Sequence, residues 1–90
     1  MPLLTVNRWI LMQRKVPAGS VSFIQDWTEY RDGFGSAMDD DNYWLGLEKI
    51  YRLVLQFGNL RLRIEAKLQL LTTQQFQSYL LELTYKILCT

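Results

Sequence analysis

Trp27-Thr-Glu-Tyr-Arg-Asp-Gly-Phe-Gly35 and, after seven intervening residues, Tyr43-Trp-Leu-Gly-Leu-Glu-Lys-Ile-Tyr-Arg-Leu53 decide the fold of this 90-residue chain. In both stretches bulky rings stand next to glycines. A ring needs close-fitting neighbours, and glycine lets backbone pass against its face or adopt a positive φ. Asp26 is placed to cap a helix starting at Trp27, with Glu29 at the capping-box position. That helix carries Trp27 and Tyr30 on one face and stops at Gly33-Phe34-Gly35. A second helix is expected from Leu47 to Leu55, with Leu47, Ile50, Tyr51 and Val54 as its apolar stripe and Gly58-Asn59 at its end. The spacing predicts that Trp9, Trp27, Tyr30, Phe34, Trp44 and Leu47 close into one buried cluster. On that expectation Trp27→Ala would cost about 3–5 kcal/mol.

Upstream, Trp9 to Lys15 reads as a short strand, Pro17-Ala-Gly-Ser20 as a turn, and Val21 to Phe23 as a second short extended piece. Downstream, the period changes. Leu60, Leu62, Ile64, Ala66, Leu68 and Leu70 alternate with Arg61, Arg63, Glu65, Lys67 and Gln69, the pattern of a half-buried strand with one wet face. Thr72 to Ser78 is a polar connector interrupted by Phe76. Leu81, Leu83, Tyr85 and Ile87 then alternate with Glu82, Thr84 and Lys86. A helix over Gln74 to Leu88 also fits Phe76, Leu80, Leu83 and Ile87, but Tyr, Thr and Ile suit a pleated surface and favour the strand. The fold class is α+β: short N-terminal strands and two short helices, followed by an antiparallel sheet.

Composition narrows the function classes. Apolar residues make up 49% and charged residues 21%, a globular balance, and the formal net charge is +1. That charge gives no reason to expect nucleic acid, and no apolar run approaches the roughly 18 residues of a membrane span. Met1 to Ile10 does not read as a signal peptide, lacking a basic start and a small-residue cleavage site. The sequence has no histidine and a single cysteine, Cys89. A serine or cysteine nucleophile therefore has no imidazole to activate it. The expectation is a non-enzyme, with no catalytic, cofactor-binding or metal residues. Asp39, Asp40, Asp41 and Asn42 invite a calcium reading, but four consecutive oxygen-bearing side chains lack the ordered spacing of a calcium loop. They read as a solvated loop, with a weak cation contact as the alternative. Arg61, Arg63 and Lys67 read as a wet strand face rather than an anion site. Trp27, Tyr30, Phe34 and Trp44 read as core rather than a carbohydrate platform. Cys89 is either an unpaired strand residue or half of a disulfide to another segment or polypeptide.

Four motifs in order carry a family resemblance. Trp9-Ile-Leu-Met-Gln-Arg-Lys15 with Gly19-Ser-Val-Ser-Phe23 is similar to the opening strand and Gly-Ser-Val-Asp-Phe of fibrinogen C-terminal-like domains. Trp27 to Gly35 matches that family's Trp-x-x-Tyr-x-x-Gly-Phe-Gly at identical spacing. Tyr43 to Leu53 resembles its aromatic-Trp-Leu-Gly-Leu-Glu-Lys-Ile-His-Arg-Leu, and Gly58-Asn59 with Leu62-Arg-Ile-Glu65 resembles the start of its central sheet. The chain departs from the family in a longer acidic loop, in Asn42 where Glu is usual, in Phe57, and after Glu65. The reading divides it into an N-terminal extension (1–8), a fibrinogen-like portion (9–65) and a divergent C-terminal strand segment (66–90). The resemblance implies a secreted recognition module of the ficolin, angiopoietin and tenascin kind, binding glycans, acetylated groups or receptors. It also implies a truncated domain: the family's first cysteine pair lies upstream of Trp9, and its calcium and ligand sites lie beyond Thr90. No cofactor is expected on this chain. A shortened structural product with no ligand of its own is the alternative. Such a chain should be marginally stable and expose apolar strand surface.

Overall fold

A computed structural model describes residues 3–6, 8–72 and 77–89. Its elements are β1 (Thr5–Val6), β2 (Trp9–Lys15), α1 (Trp27–Asp32), β3 (Tyr43–Trp44), α2 (Leu47–Phe57), β4 (Leu60–Thr72) and β5 (Gln77–Cys89). The fold is α+β, two short helices beside one antiparallel sheet. Strand order is β1-β2-β5-β4, with β3 also pairing β2. The period-2 segment after Gln77 is a strand, because β5 is the sheet's centre, paired to β2 on one side and to all of β4 on the other. Leu60 stands opposite Cys89 at one end of that ladder and Thr72 opposite Gln77 at the other. The middle of the expected connector, including Phe76, lies outside the described residues, as does the Cys89 thiol. β1 falls within the expected N-terminal extension and pairs Thr5 with Ile10.

The core sits where β2 and β5 meet β3 and α2. Ile10, Leu11, Ala37, Tyr43, Leu45, Leu53 and Ile87 are buried together, with Leu4, Met12, Ile50 and Leu60 packed against them. Adjacent strand residues point to opposite faces, so burial of both Ile10 and Leu11 means both sheet faces are covered at this point. A register shift between Leu11 and Gln13 marks a bulge in β2. Just beyond it, the Leu45 N–H donates to the Met12 carbonyl at 2.9 Å and ties the motif loop to the sheet.

Three expectations need correction. Val21 to Phe23 is not a strand; it is a bent segment held by side chains of the acidic loop. The α2 stripe is turned from the expected face: Leu53 is buried and Ile50 packs on the core, while Leu47, Tyr51 and Val54 are exposed. β4 lacks the expected dry face from Leu62 to Leu68: Leu62, Ile64 and Leu68 are each more than half exposed, while Leu60 packs against the core. The alternation correctly gave the strand, but a period cannot say whether another layer lies on top of it. Apolar strand surface is thus open to solvent, as expected of this chain.

The ring cluster also changes membership. Phe34 is buried and Tyr30 and Trp44 are half-buried, but Trp27 is 67% exposed. Trp27 is the first residue of a helix of six residues. A helical side chain leans toward the N-terminus, so from this position it projects beyond the packed layer. Trp27→Ala should therefore change stability by no more than about 0.5 kcal/mol, as for surface substitutions generally. A urea titration that shows a loss of several kcal/mol would return Trp27 to the core.

Candidate functional site

Phe34, Tyr30 and Trp44 of the motifs point inward, and the polar tips of Tyr30, Trp44 and Lys49 are bonded to backbone. The Asp26 carboxylate accepts the Glu29 N–H at 2.9 Å, capping α1 as predicted. The Gly33 N–H closes the helix on the Glu29 carbonyl at 2.7 Å. Phe34 and Trp44 exchange two backbone bonds, at 3.0 and 2.9 Å. Around that bridge the rings meet edge to face: Tyr30 to Phe34 at 5.1 Å and Phe23 to Phe34 at 5.5 Å between centroids. The Tyr30 hydroxyl donates to the Phe23 carbonyl at 2.5 Å, and the Trp44 Nε1–H donates to the Tyr30 carbonyl at 2.8 Å. Lys49 Nζ donates to the carbonyls of Asp32 and Leu45, joining the two helix ends. Each of these groups is occupied in holding one loop to another.

The acidic loop has two halves. Asp39 and Asp40 are exposed, but Asn42 is 2% exposed and structural. Its Oδ1 accepts the Val16 N–H at 2.8 Å and its Nδ2 donates to the Val21 carbonyl at 2.8 Å, so one amide spans the turn. Asp41 accepts from the Ser20 hydroxyl and from the N–H groups of Ser20, Val21 and Asn42. The cation at this loop is Arg14. Its guanidinium donates to the carbonyls of Asp41 (2.8 Å), Ser36 (3.3 Å) and Asp39. Arg14 thus occupies those carbonyls, and the Asp41 carboxylate is occupied by Ser20, Val21 and Asn42. Among the described residues no three His, Cys, Asp or Glu side chains gather as a metal cluster. Sequence reading missed Arg14 and Asn42 because their partners lie 20–30 residues away, and no local period carries such a contact.

The bonds to Asp41, that from the Ser20 hydroxyl first, hold its carboxyl below the usual carboxylate range. A lowered folded-state value means the contribution is complete above the unfolded value near pH ~3.9 and is lost as pH falls through the folded one. Asp41→Asn should flatten the acid limb of a stability-against-pH curve while leaving its alkaline limb in place. An unchanged acid limb would show that the carboxylate does not contribute there.

A groove of about 220 Å³ opens on the charged face of the sheet. Leu4, Trp9 and Leu11 give it apolar walls; Arg14, Lys67 and Lys86 face Asp40, Glu65 and Glu82 around them. Glu65 accepts from Lys86 at 3.3 Å and from Arg63 at 3.0 Å, and Arg63 lies 5.5 Å over the Trp9 ring. Arg63 is therefore a paired, stacked cation, which agrees with the wet-face reading. Balanced charge around an aromatic ring suits a neutral or zwitterionic hydrogen-bonding group better than a polyanion.

The family described as fibrinogen beta and gamma chains, C-terminal globular domain, matches residues 4–84. Angiopoietin-related protein 7 of Mus musculus is 47% identical over 57 residues, covering 63% of this chain and 16% of that protein. Ficolin-3 of Homo sapiens is 44% identical over 57 residues, covering 63% and 18%. Angiopoietin-related protein 2 of Homo sapiens is 46% identical over 56 residues, covering 62% and 10%. The chain thus spans less than a fifth of the length of these curated relatives. No solved structure matches it.

Proposed function

The chain belongs to the family of the C-terminal globular domain of fibrinogen beta and gamma chains, and from that membership we propose that it is the framework part of an extracellular recognition domain. That domain binds rather than catalyses, and the motif residues of this chain hold its fold instead of touching the ligand. The observation that carries this reading is the inward bonding of Tyr30, Trp44, Lys49, Arg14 and Asn42 to backbone carbonyls and N–H groups. The hydrogen-bonding groups of these side chains are satisfied within the fold. The exposed apolar residues of α2 and β4 fit a framework whose outer layers are supplied by further polypeptide. No helix among the described residues is long and apolar enough to cross a membrane.

The test is binding of the 90-residue chain to immobilised N-acetylglucosamine and acetylated albumin, the ligand classes the family resemblance implies. A framework gives no saturable binding tighter than about 1 mM. Trp44→Ala should lower the melting temperature without exposing or removing any binding. The groove favours a second reading, in which Trp9 is itself a contact for a small neutral group. Saturable binding that Trp9→Ala abolishes at unchanged melting temperature would replace the framework reading with that one.

A further inference from the structure

β4 is the last strand of the sheet, and among the described residues it pairs only with β5. It runs for thirteen residues, about 44 Å at the usual rise per residue. Along that length every second residue turns its N–H and C=O away from β5. A long, unpaired and partly apolar edge is a template for another strand, and natural edges are normally blunted by proline, a bulge or a cover. Among the described residues β4 has no proline, bulge or cover: its register with β5 is unbroken from Leu60 to Thr72, and Leu62, Ile64 and Leu68 are open to solvent. Its charges, Arg61, Arg63, Glu65 and Lys67, are of both signs and repel another strand only in a register that sets like against like.

We infer that the occupant of this edge is β4 of a second copy, paired antiparallel on a two-fold axis at Ala66. The order of charges selects this register. With the axis at Ala66, Glu65 stands opposite the partner's Lys67 and Lys67 opposite the partner's Glu65, and no like charges face each other. Ile64 then stands opposite the partner's Leu68 on the apolar face, and all thirteen residues overlap. Shifting the axis to Glu65 sets Arg63 against the partner's Lys67, and shifting it to Lys67 sets that lysine against its own copy. An axis at Ile64 sets Arg61 against the partner's Lys67. An axis at Leu68 keeps like charges apart but loses the ion pair and shortens the overlap. Full overlap, opposite charges in contact and no repulsion occur together in one register. The pairing is isologous, as closed dimers are. Glu65 keeps 34% of its side chain accessible beside Arg63 and Lys86, so it remains available to the partner's Lys67.

Sedimentation velocity of the full chain should show a species of twice the 10.7 kDa mass, in concentration-dependent exchange with the single chain. In a Cys89→Ser background, Ala66→Cys should form a disulfide-linked dimer on mild oxidation. Ile64→Cys alone should not, whereas Ile64→Cys mixed with Leu68→Cys should. Lys67→Glu places two acidic pairs across the axis and should weaken the dimer about tenfold; Glu65→Lys combined with Lys67→Glu should restore it. Circular dichroism on each variant checks that the β4–β5 ladder is intact. A single-chain mass at every concentration overturns the inference, and so does a dimer in which Ala66→Cys fails to cross-link while the ladder is intact.

Discussion

Gly46→Ala leaves little folded protein. Gly46 precedes α2 with φ of 108° and ψ of 138°, a region in which a side chain costs about 1–3 kcal/mol before any contact is counted. Here contacts matter more. A Cβ at Gly46 would lie 2.7 Å from the Asp32 carbonyl carbon and 2.8 Å from the Gly33 nitrogen. Both are backbone atoms at the end of α1, so no rotamer change can relieve the clash. The two helix ends would have to separate, and with them the Lys49 bonds to Asp32 and Leu45. The expected loss is about 4 kcal/mol, close to the whole margin of a small domain. Gly58 provides the control. Its φ is 77°, also in the left-handed region, but nothing lies within 4 Å of the added carbon. Gly58→Ala should cost about 1 kcal/mol, the conformational part alone. Urea titrations of both variants separate strain from clash; equal losses would mean that the approach of the two helix ends is not what Gly46 protects.

That contrast also marks what could be read from the sequence. The Asp26 cap, the Gly33 stop and the alternation of β4 and β5 are consequences of near neighbours, and each was legible. The family motifs likewise placed Phe34 and Trp44 correctly, because their spacing fixes a bridge between two loops. What failed was the assignment of particular stripes to a covered face, although exposed apolar strand surface was expected. The α2 stripe through Leu47, Tyr51 and Val54 and the β4 stripe through Leu62 and Ile64 are genuinely amphipathic, and both are exposed. Amphipathicity records the layer an element is suited to meet, whether or not this chain brings that layer. Trp27 failed for a related reason: an i, i+3 pair defines a face only if the helix is long enough to hold both ends against a partner. Arg14 and Asn42 were illegible because a polar residue in a loop gives no sign of the distant carbonyl it will satisfy.

Asn42→Leu should cost about 2–4 kcal/mol, despite being a change of similar volume to an apolar residue at a nearly inaccessible position. Transfer arguments alone would predict a gain. The loss arises because the amide spans Val16 and Val21, and removing it takes the partner from a partly buried N–H and a partly buried carbonyl, each costing about 1–2 kcal/mol. Asn42→Asp separates the two bonds. An aspartate still accepts from the Val16 N–H, but when ionised it presents an oxygen to the Val21 carbonyl and a second charge beside Asp41. Burial and that neighbour raise its folded-state pKa above the unfolded value. The penalty is therefore absent below the unfolded value and grows as pH rises, because only the protonated acid can donate to Val21. Thermal melts should show Asn42→Asp more stable near pH ~4 than at pH ~7, the opposite slope to that expected from Asp41 in the parent protein. Parallel slopes for variant and parent would mean that the bond to Val21 carries no weight, and that the acidic loop is the solvated segment its composition suggests.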